Sequence, residues 1–319
     1  MIDYTVFYKE KLPLDDVWEP RWDLLISSYN LSDRVLDVFS RANADEKRWL
    51  VLPDYDFDTD ELPPRENVHL ADTRNEADYI LDFFGANSFS LDGADVCVDI
   101  TGFLKPYMMF LLKYLKHQGV KRIDVLFSEP AHYVKKEDTS FSDEKVQEVR
   151  QVQGFEGIHD TDTSNDILIV GAGYDHKLMM HVAESKDSAR KKIRVFGFPS
   201  LRPDMYQQNI LRSTKADDTF GSISSASDPS SYFAPANDPF VTASVLHDIL
   251  VHENGLRKVT NLYLSPLATK PQALGFTLFY LFEMDGGAAS MIYPFCPSHS
   301  KKTSEGISRV WRYTIEFPR

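Results

Sequence analysis

Short β-branched runs alternate with segments of helical period along this chain, the pattern that parallel α/β sheets leave in a sequence. Four strand-helix-strand units follow from it. The first holds strand WDLLISS, a helix from about Ser32 to Arg41 and strand RWLVLP, ending at Pro53. The second runs from Asp95 to Pro130: strand VCVDI, an apolar helix opened by Lys105-Pro106, and a strand from Arg122 to Phe127. The third runs from Asp166 to Pro199, with DILIVGAG, a helix from about Asp175 to Glu184, and KIRVFGFP. The fourth, Val259 to Phe295, has strand NLYLSP, a helix opened by Lys270-Pro271, and a strand from Ser290. These periods predict an α/β protein of Rossmann-like parallel sheets with flanking helices.

Units one and three share a loop of small residues, then Tyr, then Asn or Asp: Ser27-Ser28-Tyr29-Asn30 and Gly171-Ala172-Gly173-Tyr174-Asp175. Units two and four share the Lys-Pro helix start. The order suggests an internal duplication, hence two pseudo-symmetric halves, residues 1–150 and 151–319, with Lys105 and Lys270 expected to meet near a pseudo-twofold cleft beside Tyr29 and Tyr174. Two segments lack the pattern. Residues 131–165 are a charged connector with a short helix or hairpin expected around Asp143 to Phe155. Residues 213–239, rich in Ser, Asp, Ala and Pro, read as a long loop, either a lid or a disordered segment.

In an open parallel sheet the ligand sits beyond the carboxyl ends of the strands, where helix N-termini converge. A cation at a helix start opposes the macrodipole by roughly 0.3 to 1 kcal/mol unless an anion neutralises it. Arg34, Lys105, Lys177 and Lys270 stand at such starts, and Arg202 precedes Pro203 after a strand. Proline in a first turn fixes where the helix begins. The basic-Pro doublets occur near the frequency that composition alone gives, so their placement carries the reading. Each cation taken singly also suits a solvated residue balanced by Asp33, Asp175 or Asp204. Thr101 and Gly102 offer a hydroxyl and a backbone NH to a phosphate, Thr269 precedes the second lysine, Gly171 and Gly173 permit close backbone approach, and Tyr29 and Tyr174 offer faces for a base or for packing.

Composition narrows the partners. The 319 residues are 43% hydrophobic, enough for a full core, and carry a formal charge of −13. That balance disfavours long nucleic acid and anionic membrane surfaces while leaving room for a small anionic ligand in a local basic pocket. No N-terminal leader and no apolar run of membrane-spanning length is read, and the two cysteines, Cys97 and Cys296, have no ligand-spaced neighbours. Buried reduced thiols in a cytoplasmic protein are expected.

Familiar catalytic patterns are missing: no GxxxxGK[ST], HExxH, GxSxG, or zinc-deaminase HxE with CxxC. Gly171-Ala172-Gly173 lacks the rest of a dinucleotide fingerprint, and Asp160, Asp162 and Asp166 lack the central glycine and terminal Glu of a calcium loop. No metal site and no cofactor is specified.

Thr101-Gly102-Phe103-Leu104-Lys105 resembles the Thr-Gly-x-x-Lys loop of CARF domains, the Rossmann-like ligand sensors of CRISPR-linked and related bacterial defence proteins; Thr269-Lys270 is similar in its last two positions. The resemblance implies a sensor of cyclic or linear oligonucleotide signals, with the loop Thr and Lys on the ligand, acting through a separate protein effector. Three readings stand: a noncatalytic nucleotide-binding sensor; an enzyme on a nucleotide or phosphosugar, with His176, Asp99 or Glu129 as acid-base candidates; and a scaffold subunit.

Overall fold

The computed structural model describes residues 2–15, 18–133, 146–173, 175–202, 207, 210–211, 220, 230–302 and 304–317. The chain first forms β1 (Tyr8–Leu12), β2 (Arg21–Ser28), α1 (Asp33–Arg41), β3 (Asn43–Val51), β4 (Val68–Leu70), α2 (Glu76–Ala86), β5 (Val96–Asp99), α3 (Lys105–His117) and β6 (Arg122–Tyr133). It continues with β7 (Glu148–Gln151), β8 (Ile167–Gly171), α4 (His176–Ser185), β9 (Lys191–Gly197), β10 (Ser231–Ala234), α5 (Pro239–Leu256), β11 (Leu262–Pro266), α6 (Lys270–Phe279) and β12 (Ala289–Phe295), and ends with β13 (Ser304–Glu316).

Two compact units result. One comprises Phe7–Lys145 with Pro297–Arg319, the other Met1–Val6 with Val146–Cys296. The expected split at 150/151 is thus replaced by an exchange of the chain ends. The reason is β13, which pairs antiparallel with β6 from Ser304 opposite Tyr133 to Glu316 opposite Arg122 and is itself covered by β1. An exposed edge on β6 would leave a row of unpaired backbone groups, and the C-terminal strand closes it.

Each unit is an α/β Rossmann-like sheet, and both follow one path. The first sheet runs β4-β3-β2-β5-β6 in parallel, then antiparallel β13 and β1; the second runs β10-β9-β8-β11-β12 in parallel, then antiparallel β7. In both, the earliest parallel strand is central and the order reverses beside it, between β2 and β5 and between β8 and β11. Central parallel strands are buried on both faces, which is why their sequences are near-continuous apolar runs. Leu25, Ile26, Cys97 and Val98 in the first sheet, and Leu168, Ile169 and Leu264 in the second, are fully buried. Each large aliphatic side chain among them contributes about 1.5 to 3 kcal/mol. Both cysteines are buried free thiols, and burial pushes that of Cys97 well above its ordinary pKa.

The eight predicted strands and four predicted helices form within a few residues of their expected limits. Differences fall where local signals are weak. The expected helix or hairpin around Asp143 to Phe155 is the edge strand β7 over its described part. Of the stretch 213–239, residues 213–219 and 221–229, on which the lid or disordered-loop reading falls, lie outside the described residues; the rest includes β10, four residues paired with β9, and the first residue of α5. Helix α5 shows no clean periodicity because apolar residues surround it: Leu246 and Ile249 are buried while Val241, Val251 and Leu256 are exposed.

Candidate anion site at the strand ends

In the first unit the point of reversal lies between the carboxyl ends of β2 and β5, where Ser27 is opposite Asp99. Ser27 Oγ donates to Asp99 Oδ2 at 2.9 Å, and the Thr101 N–H donates to Asp99 Oδ1 at 3.0 Å, so one buried carboxylate ties the β2 end to the loop after β5. Thr101 is turned into the core, its hydroxyl oxygen accepting from the Ser128 N–H at 3.0 Å. A Cβ on Gly102 would lie 1.8 Å from the Ser28 carbonyl oxygen. The two loops therefore touch backbone to backbone, and the glycine is explained by that contact. Tyr55 Oη donates to the Gly102 carbonyl at 2.7 Å and locks the turn.

Tyr29 and Arg34 are likewise committed. Tyr29 is buried edge-to-face on Trp49, with ring centroids 5.5 Å apart, and its hydroxyl donates to the Glu61 carbonyl at 2.9 Å. Arg34 is buried and clamps the returning strand, Nε donating to Ser304 Oγ at 2.9 Å and Nη1 to the Ser128 carbonyl. As a face for base stacking and as an open cation these two are spent on packing.

Lys105 is the first residue of α3, with Pro106 next, and is half-buried. Burial lowers its ammonium pKa to about 7 from an ordinary value of 10.5. A bound anion nearby would favour the charged form of this lysine. The same shift has a stability consequence. Between about pH 7 and 10.5 the unfolded chain binds a proton that the folded chain lacks, so stability rises with pH across that window. Lys105→Met removes this slope: we expect the variant to be more stable than wild type at pH 7, by on the order of 1 kcal/mol after solvent screening, with the gap closing toward pH 10.5. Urea unfolding at pH 7, 8.5 and 10 measures it; parallel pH profiles for the two proteins contradict it.

Three features of this edge had no sequence signal. The first is a buried acid, Asp54, past the end of β3. It accepts from Tyr107 Oη at 2.6 Å, and burial raises its pKa against the lowering effects of that bond and of Arg74. The second is Ser128, which joins Thr101 and Arg34. The third is the segment 297–302 that leads into β13. Its His299 N–H donates to the Asp54 carbonyl at 2.9 Å, and its Lys301 carbonyl accepts from the Leu31 N–H at 3.1 Å. Arg74 donates to the Pro297 carbonyl at 2.6 Å, and Lys301 pairs with Glu61. This segment thus lies on the loops that follow β2 and β3, and its basic side chains are carried to the strand ends from far along the sequence.

In the second unit Gly171 ends β8 opposite Pro266 of β11. A Cβ on Gly173 would lie 2.3 Å from the Leu267 carbonyl oxygen, so here too the two loops meet backbone to backbone. Thr269 caps α6: its hydroxyl accepts from the Gln272 N–H at 3.3 Å and donates to the Ala236 carbonyl. Lys270 opens α6 and is half-buried. Lys177 is exposed in the first turn of α4, which is capped by Asp175. Arg202 is half-buried, its carbonyl accepting from Ser200 Oγ. Tyr174 and Pro203 lie outside the described residues. Each lysine is thus brought to the strand ends of its own unit, Lys105 near the loop of Tyr29 and Lys270 near the loop of Gly173.

The acid-base candidates are structural in their contacts: Asp99 as above, Glu129 accepting from Trp311 Nε1 at 2.6 Å and from Arg309 Nη1 at 3.2 Å. His176 opens α4 and is half-buried. Among the described residues no group of three His, Cys, Asp or Glu side chains is arranged to hold a metal ion, and no helix is long and apolar enough to cross a membrane. No protein-family model, curated protein or solved structure matches this chain.

Proposed function

We propose that the chain is a noncatalytic sensor that binds a small anionic ligand, a nucleotide or cyclic oligonucleotide, beyond the carboxyl ends of its parallel strands. The reading rests on one repeated observation: in both units the helix following the fourth strand of the path opens with a half-buried lysine and a buried proline next to the point where strand order reverses. That is where open α/β sheets hold ligands, and helix N-termini there favour anions. The segment 297–302 adds basic side chains to the loops at the first unit's strand ends. It hydrogen-bonds to the loops at those ends through His299 and Lys301. A site of this kind suits a regulatory protein in the cytoplasm that passes a signal to a separate effector. Antiviral defence fits this reading through the CARF-like loop.

The test is a thermal-shift and calorimetric screen of nucleotides, dinucleotides and cyclic oligonucleotides against wild type and Lys105→Ala with Lys270→Ala. A ligand that raises Tm for wild type and not for the double variant is the expected result. Binding at pH 8 should also take up protons, seen as heats that change with buffer ionisation enthalpy, because the anion restores the charge on Lys105. The absence of any shift, or equal shifts in both proteins, refutes the reading. Conversion of the added nucleotide to product would move it to the enzyme class.

A further inference from the structure

At the opposite edge of the first unit's sheet, where the parallel strands begin, a cavity of about 670 Å³ opens between the β1 chain, the start of β2 and the starts of β5 and β6. Its volume is in the range of small-molecule sites. The floor is Asp124 of β6, a buried carboxylate whose two oxygens are both engaged: Thr314 Oγ1 donates to one at 2.6 Å and Trp22 Nε1 to the other at 2.9 Å. Two guanidiniums flank it without coming to hydrogen-bond distance. Arg122 Nη2 is 4.0 Å from Oδ1, and Arg312 Nη1 is 3.8 Å from Oδ2.

Arg312 pairs through its other terminal nitrogen with Glu10, but its Nε is buried and has no hydrogen-bond partner among the described residues. Arg122 has 53% of its side chain exposed at the rim and stays beyond hydrogen-bond distance of Asp124, so its donors are open to the cavity mouth. The site therefore presents two arginines, a planar donor arrangement suited to carboxylate and phosphate groups. Acidic and basic residues are balanced around the walls, which disfavours a polyanion and suits a ligand of one or two charges.

We propose that this cavity is a second binding site, for a small oxyanion held between Arg122 and Arg312. It uses neither Lys105 nor Lys270, so it stands or falls apart from the strand-end site. Isothermal titration at pH 7 and fixed ionic strength, with inorganic phosphate in one arm and succinate in the other, tests it and tells the two anion chemistries apart. At least one probe should bind wild type. Arg122→Ala, an exposed change that leaves Asp124 and its hydrogen bonds in place, should weaken binding tenfold or more, and Lys105→Met with Lys270→Met should leave it unchanged. Failure of both probes to bind, equal binding by Arg122→Ala, or loss of binding in the double lysine variant overturns the proposal.

Discussion

Replacing Glu253 with alanine should cost the second unit about 3 to 5 kcal/mol, the size of effect seen when one partner of a buried ion pair is removed. Glu253, on α5, is almost fully buried and receives Lys191 Nζ of β9 at 2.5 Å and Arg190 Nη2 at 3.3 Å. Arg190 is partly exposed and can turn to water. Lys191 is buried and cannot, so the variant takes away the carboxylate that its ammonium meets. Urea unfolding at pH 7 measures the deficit. Glu253→Leu with Lys191→Met should recover most of the loss, because paired removal leaves no unmatched charge. A single variant within about 0.5 kcal/mol of wild type, or a double variant no better than the single, contradicts the account.

Gly102→Ala is the second large effect, expected at about 3 kcal/mol of destabilisation in the first unit. The added methyl meets the Ser28 carbonyl oxygen at 1.8 Å and its carbon at 2.9 Å. Both are backbone atoms, so relief requires the loops after β2 and β5 to part, which breaks the geometry set by Asp99. The cost is steric closeness and owes nothing to backbone dihedral strain. Gly85→Ala is the control: it lies inside α2 with nothing within 4 Å of the new Cβ, and should stabilise by about 0.5 to 1 kcal/mol through helix propensity. Hydrogen exchange at Thr101 and Ser128, combined with urea unfolding, reads the local and the unit-wide effect of Gly102→Ala together. Unchanged protection and stability would show that the loops yield freely. Since Lys105 stands three residues beyond Gly102, loosening this turn should also weaken any ligand held at the start of α3.

The outcome for individual residues separates local from tertiary information. Strands β2, β5, β8 and β11 were legible because burial on both faces writes itself as an uninterrupted apolar run, and α3 and α6 because Pro106 and Pro271 mark a first turn. These are properties of a few consecutive residues. Tyr29, Thr101 and Arg34 show the opposite. Each is the right residue type in the right loop for a ligand, yet each is turned onto a partner distant in sequence: Glu61 for Tyr29, Ser128 for Thr101, Ser304 for Arg34. A hydroxyl or guanidinium has the same chemistry toward a phosphate and toward a carbonyl, so sequence alone does not decide which it meets.

By itself, then, the sequence determined the α/β alternation, the central strands and the two Lys-Pro helix starts, since apolar period and proline chemistry act over one or two turns. Only the tertiary structure decided what stands around those starts. The return of β13 to β6, the laying of segment 297–302 on the loops after β2 and β3, and the burial that brings Lys105 to a pKa near 7 all join residues far apart in the chain. Such contacts are fixed by the packing of a closed core and by the need to pair every buried polar group, conditions that no local pattern of residues encodes.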